Sequence, residues 1–474
     1  MVFSSNIFLL YFLPVFLILY FLTPRKFRNY TLLLFSLVFY AYGAPDFFFY
    51  LVGSTILNFY IVRAMGTAKQ ILWKKIFCAA SITLNLSLLL YFKYGNFFLE
   101  NLNSILHLIH RPEIEWMRIA LPIGISFFTF QSITYTLDTY RNVNQAMKKL
   151  TDYVLYIVMF PPLIAGPIIR YSQIADQIRE RYSTMSDRLH GFYRFVLGMS
   201  KKVLIADVIG YYVDSALAVT DYAAMNSSVA WITIFAYTFQ LYFDFAGYSD
   251  MAIGLGKMMG FKFPENFDNP YVSTSISEFW RRWHMTFSIF MKNYLYFPLG
   301  GSRVKTQRRL YFNLWFVFLV SGLWHGASWN FVIYGIIQGV FIVMDRLFLV
   351  KFMNKLGRIP SVFITFLIIV LARVFFRIED IGMAWTFMQR LFAFDFVAVD
   401  ISQNLQYFVV MGIAAFFSFI TLSKFGLKLQ EKVYFTELKL KGHILFWIIS
   451  IVALIFCVAS LNATGYSPFI YFRF

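Results

Sequence analysis

The chain has 474 residues, of which 59% are hydrophobic and only 14% charged, with a mean hydropathy of +0.63. A soluble domain carries about 25% charged residues, and soluble chains divide into domains rather than enlarge one apolar interior, so this composition excludes a soluble globular protein and requires lipid to solvate much of the surface. The net charge of +18 does not point to nucleic acid, because the basic residues cluster between apolar runs, as the positive-inside rule describes.

Apolar runs recur from end to end. Clear candidates for spanning helices are 7–22, 47–64, 76–92, 119–137, 231–247, 328–349, 361–377, 403–423 and 443–461, with weaker or broken ones at 30–42, 153–169, 195–217 and 310–324. At roughly 20 apolar residues per span, this predicts an all-α polytopic membrane protein with about 10–13 membrane segments. The run 7–22 has no charge before it and Arg25, Lys26 and Arg28 after it. That order is the reverse of a signal peptide and predicts an uncleaved first span with the N-terminus outside. The clusters Lys69–Lys75, Lys148–Lys149, Lys201–Lys202, Arg303–Arg309, Lys351–Arg358 and Lys424–Lys441 can then all lie in the cytoplasm, which leaves the C-terminus outside.

Residues 95–118, with His107, His110 and Arg111, read as a polar connection at the outer surface. Pro161-Pro162 and Gly166-Pro167 interrupt the next apolar run. Prolines remove backbone donors, and the freed groups need partners away from lipid. A broken or re-entrant segment buried among helices is expected there. Residues 171–202 read as a cytoplasmic interfacial helix. No tandem repeat or soluble insert is visible, so 1–474 reads as a single integral membrane domain. Cys78 and Cys457 read as buried small hydrophobes, with no disulfide framework and no metal-ligand spacing.

Three clusters could carry chemistry. Ser275 and Glu278 have the spacing of a capping box. From there Glu278, Arg281, His284, Ser288 and Lys292 recur at three and four residues, which predicts one shared helical face. Periodicity alone also fits an amphipathic helix lying in the interface. The second cluster is Trp324-His325-Gly326, at the end of the run that starts beyond Arg309. At about 1.5 Å per residue His325 lies roughly 22 Å from the cytoplasmic end, inside a hydrocarbon core about 30 Å thick. An ionisable residue at that depth is a functional candidate; the competing reading is a neutral histidine bonded to a neighbouring carbonyl. Gly322, Gly326, Gly335 and Gly339 add four-residue spacings that allow close helix packing. The third cluster holds Asp244, Asp250, Asn266, Asp268 and Asn269. Asp244 ends an apolar span and could contact substrate or relay protons, whereas Asp250 and Asp268 read as salt-bridge partners for nearby arginines. There is no GxxxxGK[ST] loop, no HExxH helix and no GxSxG elbow. Paired membrane histidines without a nucleophile motif point to general-base chemistry on a bound acyl donor.

The segments SISEFWRRWHMTFSIFMKNYLYFPLGGSR (275–303) and SGLWHGASWNFVIYGIIQG (321–339) closely resemble the signature segments of the membrane-bound O-acyltransferases of the alginate-acetylating (AlgI) type. The likeness extends to the opening MVFSSNIFLLYFLPV, to FPPLIAGPIIRY (160–171), YFDFAGYSDMAIGLGKMMGF (242–261) and the closing PFIYFRF (468–474). The resemblance implies a ring of tilted helices, some re-entrant or broken, around a central funnel. It implies that His325 is the principal catalytic residue and His284 the second, with Trp324, Asn330, Arg281, Glu278 and Asp244 as binding or supporting residues. It further implies an acyl thioester donor, acetyl coenzyme A or a carrier protein, with no tightly bound cofactor. The expected partners are an extracytoplasmic SGNH-type protein and a polysaccharide acceptor at a bacterial inner membrane. Two other readings stay open: transfer of D-alanine to teichoic acid, as in DltB-type relatives, and a glycan or acyl transporter, whose mark would be an inverted repeat with paired broken helices.

Overall fold

The computed structural model describes residues 3–219, 221–399, 404–464 and 469; the closing PFIYFRF segment, apart from Phe469, lies outside them. The described residues form helices joined by turns and extended links, with no strand among them. Among the described residues seven helices are long and apolar enough to cross a membrane, and Ile7–Leu22 is a shorter apolar one. The chain gathers into two compact units: Met1–Thr184 with Met259–Phe263, and Met185–Met258 with Pro264–Phe474.

The first unit contains the spans Pro45–Thr67 and Ile71–Leu108. Between its helices runs a buried polar network. Asn58 donates to the Tyr153 hydroxyl at 2.6 Å, and its Oδ1 accepts from Ser81 at 2.5 Å and Asn85 at 3.0 Å. Every polar atom needs such a partner where water is absent. The proline-rich run behaves as predicted. The helix Leu150–Val158 breaks at Met159, a short turn Phe160–Leu163 follows, and residues 153–169 are all buried. The backbone N–H of Phe160 donates to Ser36 Oγ at 3.2 Å, and the Phe160 ring packs on Phe12, Phe16 and Phe39.

Two expectations here are corrected. The polar connection 95–118 is helical through Leu108, because no proline or glycine follows Gly95 until Pro112 and the preceding helix continues through the wide turn Leu90–Tyr94. The extended return is pinned by side chains: Ile114 N–H donates to Asn103 Oδ1 at 2.9 Å and Ile119 N–H to Asn96 Oδ1 at 3.0 Å. The run 119–137 yields only the helix Ile125–Tyr140, starting after Pro122 and after Gly124 at φ +77°. A Cβ at Gly124 would sit 2.8 Å from the Leu163 carbonyl, so only glycine fits this turn. Thr129, Gln131, Ser132, Thr134, Thr136 and Asp138 are buried along this helix, which marks an interior position.

The second unit is built on Ser227–Met258, a 32-residue helix buried along most of its length. Met185–Ser200 lies against it with backbones nearly touching. A Cβ on Gly198 would come within 2.5 Å of the Gly247 carbonyl, and one on Gly254 within 2.5 Å of the Gly191 carbonyl. Small residues permit this approach, and van der Waals contact holds it. The remaining spans are Trp329–Leu356, Arg358–Arg377, Leu405–Leu422 and Leu440–Ala463.

Candidate active site

The predicted single helix across 275–292 does not form. Ser275 caps it as expected, its hydroxyl accepting from Glu278 N–H at 3.1 Å. The helix ends at Arg282, however, and a second begins at Met285. His284 stands between them with φ +44°, a left-handed conformation that costs a non-glycine residue energy and persists only where surroundings enforce it. Two strand-like exchanges with 266–268 do so: Met285 N–H donates to the Asn266 carbonyl at 2.9 Å and Asp268 N–H to the Arg282 carbonyl at 2.9 Å. The kink turns His284 away from the polar stripe. Its side chain is fully buried, while Arg281 and Lys292 are exposed.

The helix Gln307–His325 runs unbroken to His325 and stops there, with extended backbone at Gly326. Its mate, Trp329–Met344, approaches so closely that a Cβ on Gly322 would meet the Phe331 carbonyl at 2.4 Å, and one on Gly326 the Phe331 ring at 2.2 Å. The glycine spacing therefore does what it predicts: it seats His325, 6% exposed, on a rigid helix pair.

The structure brings the two histidines onto one aromatic cluster. Phe287 stacks on Trp324 with ring centroids 4.2 Å apart, on His284 at 5.0 Å, and approaches His325 at 6.0 Å. Trp324 lies 4.9 Å from His325. Phe376 and Tyr334 close the far side of His325 at 5.0 and 6.0 Å.

His284 Nδ1 lies 3.1 Å from Asn266 Oδ1. That oxygen also accepts from the Thr286 hydroxyl at 2.8 Å and Thr286 N–H at 3.4 Å, while Asn266 Nδ2 donates to Ser249 at 3.1 Å. Because Oδ1 is an acceptor, Nδ1 carries the proton, and neutral His284 presents the lone pair of Nε2. Among the described residues Nε2 has no hydrogen-bond partner.

The sequence reading gave one functional candidate no role of its own and missed another. Asn266, grouped there with the acids, is the residue that orients His284. Arg373 lies within the apolar run 361–377 and is 1% exposed. Its guanidinium carbon sits 4.6 Å over the Trp283 ring and 5.2 Å over Phe376, and Nη1 donates to the Tyr334 hydroxyl at 3.1 Å. Nε and Nη2 have no hydrogen-bond partner, and Arg373 makes no ion pair, among the described residues. The signal was an arginine four residues inside the end of an apolar span.

The other expected residues are engaged in contacts of their own. Glu278 accepts from Thr274 N–H and hydroxyl at 2.9 and 2.8 Å and from Arg282 at 2.9 Å, which fixes the helix start. Asn330 donates to the Phe375 carbonyl at 3.0 Å and so ties two helices. Asp244 is mid-helix rather than at a span end and pairs with Lys202 at 3.0 Å; Lys202 also binds Asp207. Asp250 pairs with Arg194 at 2.7 Å and Lys201 at 2.6 Å, and Asp268 with Arg282 at 3.4 Å, the roles predicted for them. A cavity of about 690 Å³, mainly apolar with Arg194, Lys201 and Tyr434 on its wall, reaches Asn266 and Met285 on either side of the His284 kink.

Residues 128–378 match the profile of MBOAT, the membrane-bound O-acyltransferase family. The chain is 42% identical over 395 residues to the probable alginate O-acetylase AlgI of Pseudomonas aeruginosa, covering 83% of this chain and 75% of that protein. It is 37% identical over 421 residues to a peptidoglycan O-acetyltransferase of Helicobacter pylori, covering 81% and 78%. A teichoic acid D-alanyltransferase of Bacillus subtilis is 28% identical over 249 residues, covering 50% and 62%. The recurring histidines, the broken helix and the membrane spans thus have a common explanation: this chain is a multi-pass membrane protein belonging to the membrane-bound O-acyltransferase family.

Proposed function

We propose that the protein is an O-acetyltransferase that moves an acetyl group from a cytoplasmic thioester to a hydroxyl at the outer face of a bacterial inner membrane, toward a cell-surface polysaccharide. The observation that carries this reading is the clustering of His284, His325 and Arg373 around shared aromatic rings, Phe287 between the two histidines and Phe376 between His325 and Arg373. The donor, acetyl coenzyme A or an acetylated carrier protein, would use the 690 Å³ cavity, whose size suits a small ligand. An acceptor, the hydroxyl of a polysaccharide or of an extracytoplasmic SGNH-type partner, would approach His325 from the other side.

In the reaction, His325 takes the proton of the acceptor hydroxyl as its oxygen attacks the thioester carbonyl. The C–O bond forms, the C–S bond breaks, and the leaving thiolate takes the proton from the His325 imidazolium, which returns the base to its neutral form. General-base help of this kind contributes about 10²–10⁴-fold. Arg373 supplies fixed positive charge for the oxyanion, a term worth about 10²–10³-fold per donor. Neutral His284, with Nε2 as an acceptor, orients the hydroxyl instead of donating to the oxyanion. Transfer of D-alanine is the second reading, and it rests on the teichoic acid D-alanyltransferase relative.

The test is transfer of label from acetyl coenzyme A, and separately from D-alanyl carrier protein, by the purified protein in proteoliposomes with its acceptor. Wild type should transfer acetyl, and His325→Gln should transfer none while inserting normally. Wild-type transfer by a well-folded His325→Gln protein would remove His325 as base. Use of only the D-alanyl donor would select the second reading.

A further inference from the structure

Three basic clusters that lie far apart in sequence line one cavity of the first unit. The cavity has a volume of about 890 Å³, and its wall carries seven cations, drawn from Arg25–Arg28, Lys148–Lys149 and Arg179–Arg181, against two carboxylates, Asp152 and Glu180. Among the described residues the only ion pair that any of the seven makes is Arg179 with Asp176, at 3.9 Å. Glu180 is engaged by the Tyr182 hydroxyl.

Neutral groups hold two of the arginines in place. Arg181 donates to Asn29 Oδ1 at 2.7 Å and to the Tyr20 hydroxyl at 3.1 Å, with its guanidinium 4.0 Å over the Phe261 ring. Asn29 is fixed in turn by donating to the Ile178 carbonyl at 2.8 Å. Arg28 donates to the Thr23 carbonyl at 3.2 Å and lies over the Tyr20 ring. These contacts orient the guanidinium groups without cancelling their charge. The positive-inside rule asks only that basic clusters share one side of the membrane; it does not ask them to surround one cavity. Cavities of roughly 300–1,000 Å³ suit small ligands. Basic pockets between membrane helices suit anionic headgroups, and guanidinium forks match phosphate geometry.

We propose that this cavity is a binding site for a phosphate-bearing anion, either the headgroup of an anionic phospholipid or the diphosphate of a soluble nucleotide. The site is independent of the histidine cluster and does not rest on the acetyl-transfer reading.

The experiment uses the full-length protein in neutral detergent. Binding of phosphatidylglycerol, phosphatidylcholine and ADP is measured by native mass spectrometry, with ADP also tested as a competitor. Two variants each lose three charges at exposed positions: Lys26→Gln/Lys148→Gln/Lys149→Gln in the cavity, and Arg303→Gln/Lys305→Gln/Arg308→Gln elsewhere. One basic residue at an anionic surface is worth about fivefold in binding, so the cavity variant should bind phosphatidylglycerol about a hundredfold more weakly. The second variant should lose less than about tenfold. Phosphatidylglycerol that resists ADP assigns the site to lipid, and displacement by ADP assigns it to a soluble diphosphate. Equal weakening in both variants, or no preference for phosphatidylglycerol over phosphatidylcholine together with no ADP binding, would overturn the proposal.

Discussion

Asn266 Oδ1 receives the Nδ1 proton of His284 across 3.1 Å, and the same asparagine receives the backbone of Met285, so one residue sets both the tautomer and the kink. Loss of a hydrogen bond to a buried group costs about 1–3 kcal/mol. Expressed in the transition state, that is about ten- to a hundredfold in rate. Asn266→Ala should therefore lower kcat by that factor with KM little changed. Asn266→Asp keeps an acceptor but adds a carboxylate, which favours the imidazolium form. Its pH–rate profile should shift to higher pH. An unchanged profile in Asn266→Asp together with full activity in Asn266→Ala would show that Asn266 does not position His284.

Arg373 offers a test that separates charge from packing. Three rings could each return about 0.5–2 kcal/mol to a buried guanidinium, against a desolvation cost of several kcal/mol per ion. The two roughly offset, so Arg373→Met should leave the melting midpoint in detergent near the wild-type value. Its kcat should fall by about 10²–10³-fold, the cost of one oxyanion donor. Arg373→Lys keeps a point charge and should recover part of the rate. If Arg373→Met melts early and loses activity only in step with folded protein, the arginine is a packing element and no more.

Much of this architecture was legible in the sequence, and the reasons differ by element. Apolar runs gave the spans because lipid forces each helix to satisfy its own backbone. Pro161-Pro162 gave the break, and the glycines at 322, 326 and 335 gave the close helix pair on which His325 sits. The position of His284 was not legible. Three- and four-residue spacing predicts a continuous helix, and the kink that overrides it comes from hydrogen bonds to Asn266 and Asp268, some 15 residues earlier in the chain. Arg373 was hidden for a related reason: of its ring neighbours only Phe376 shares its helix, while Trp283 and Tyr334 come from two other segments that spacing along one helix does not reveal. Asp244 looked functional because it is an acid in an apolar run, but its partner Lys202 lies on another helix.

The helix pair that carries His325 leaves no room for a methyl group. A Cβ at Gly322 would lie 2.4 Å from the Phe331 carbonyl and 2.7 Å from Gly335 Cα. Both are backbone atoms, so the helices must separate. Overpacking of this kind costs about 1–3 kcal/mol. Gly322→Ala should lower the melting midpoint and also reduce transfer beyond the loss of folded protein, because the helix end that bears His325 moves. Gly53, with nothing within 4 Å of its would-be Cβ, is the matched control, and Gly53→Ala should change neither. Equal behaviour of the two variants would remove close packing as the device that seats His325.

Orientation is the last expectation, and it decides from which side each substrate arrives. Lys305 lies in an exposed basic turn before the helix Gln307–His325. That helix has 19 residues, which at about 1.5 Å per step carries His325 about 27 Å from its start, close to the full depth of a hydrocarbon core of about 30 Å. Basic loops stay in the cytoplasm, so in the proposed reaction the thioester donor would arrive from the side that carries Lys305, with His325 toward the opposite leaflet. A Lys305→Cys variant, with the buried Cys78 and Cys457 changed to Ala, should react with a membrane-impermeant maleimide only in inside-out vesicles. Tyr11, exposed on the first apolar helix, is too deep to serve as the outer marker, whereas Met117 in the extended return after Leu108 is 90% exposed and should label as Met117→Cys only from outside. Labelling of residue 305 in right-side-out cells would invert the protein, and with it the assignment of donor and acceptor sides to the two ends of the His325 helix.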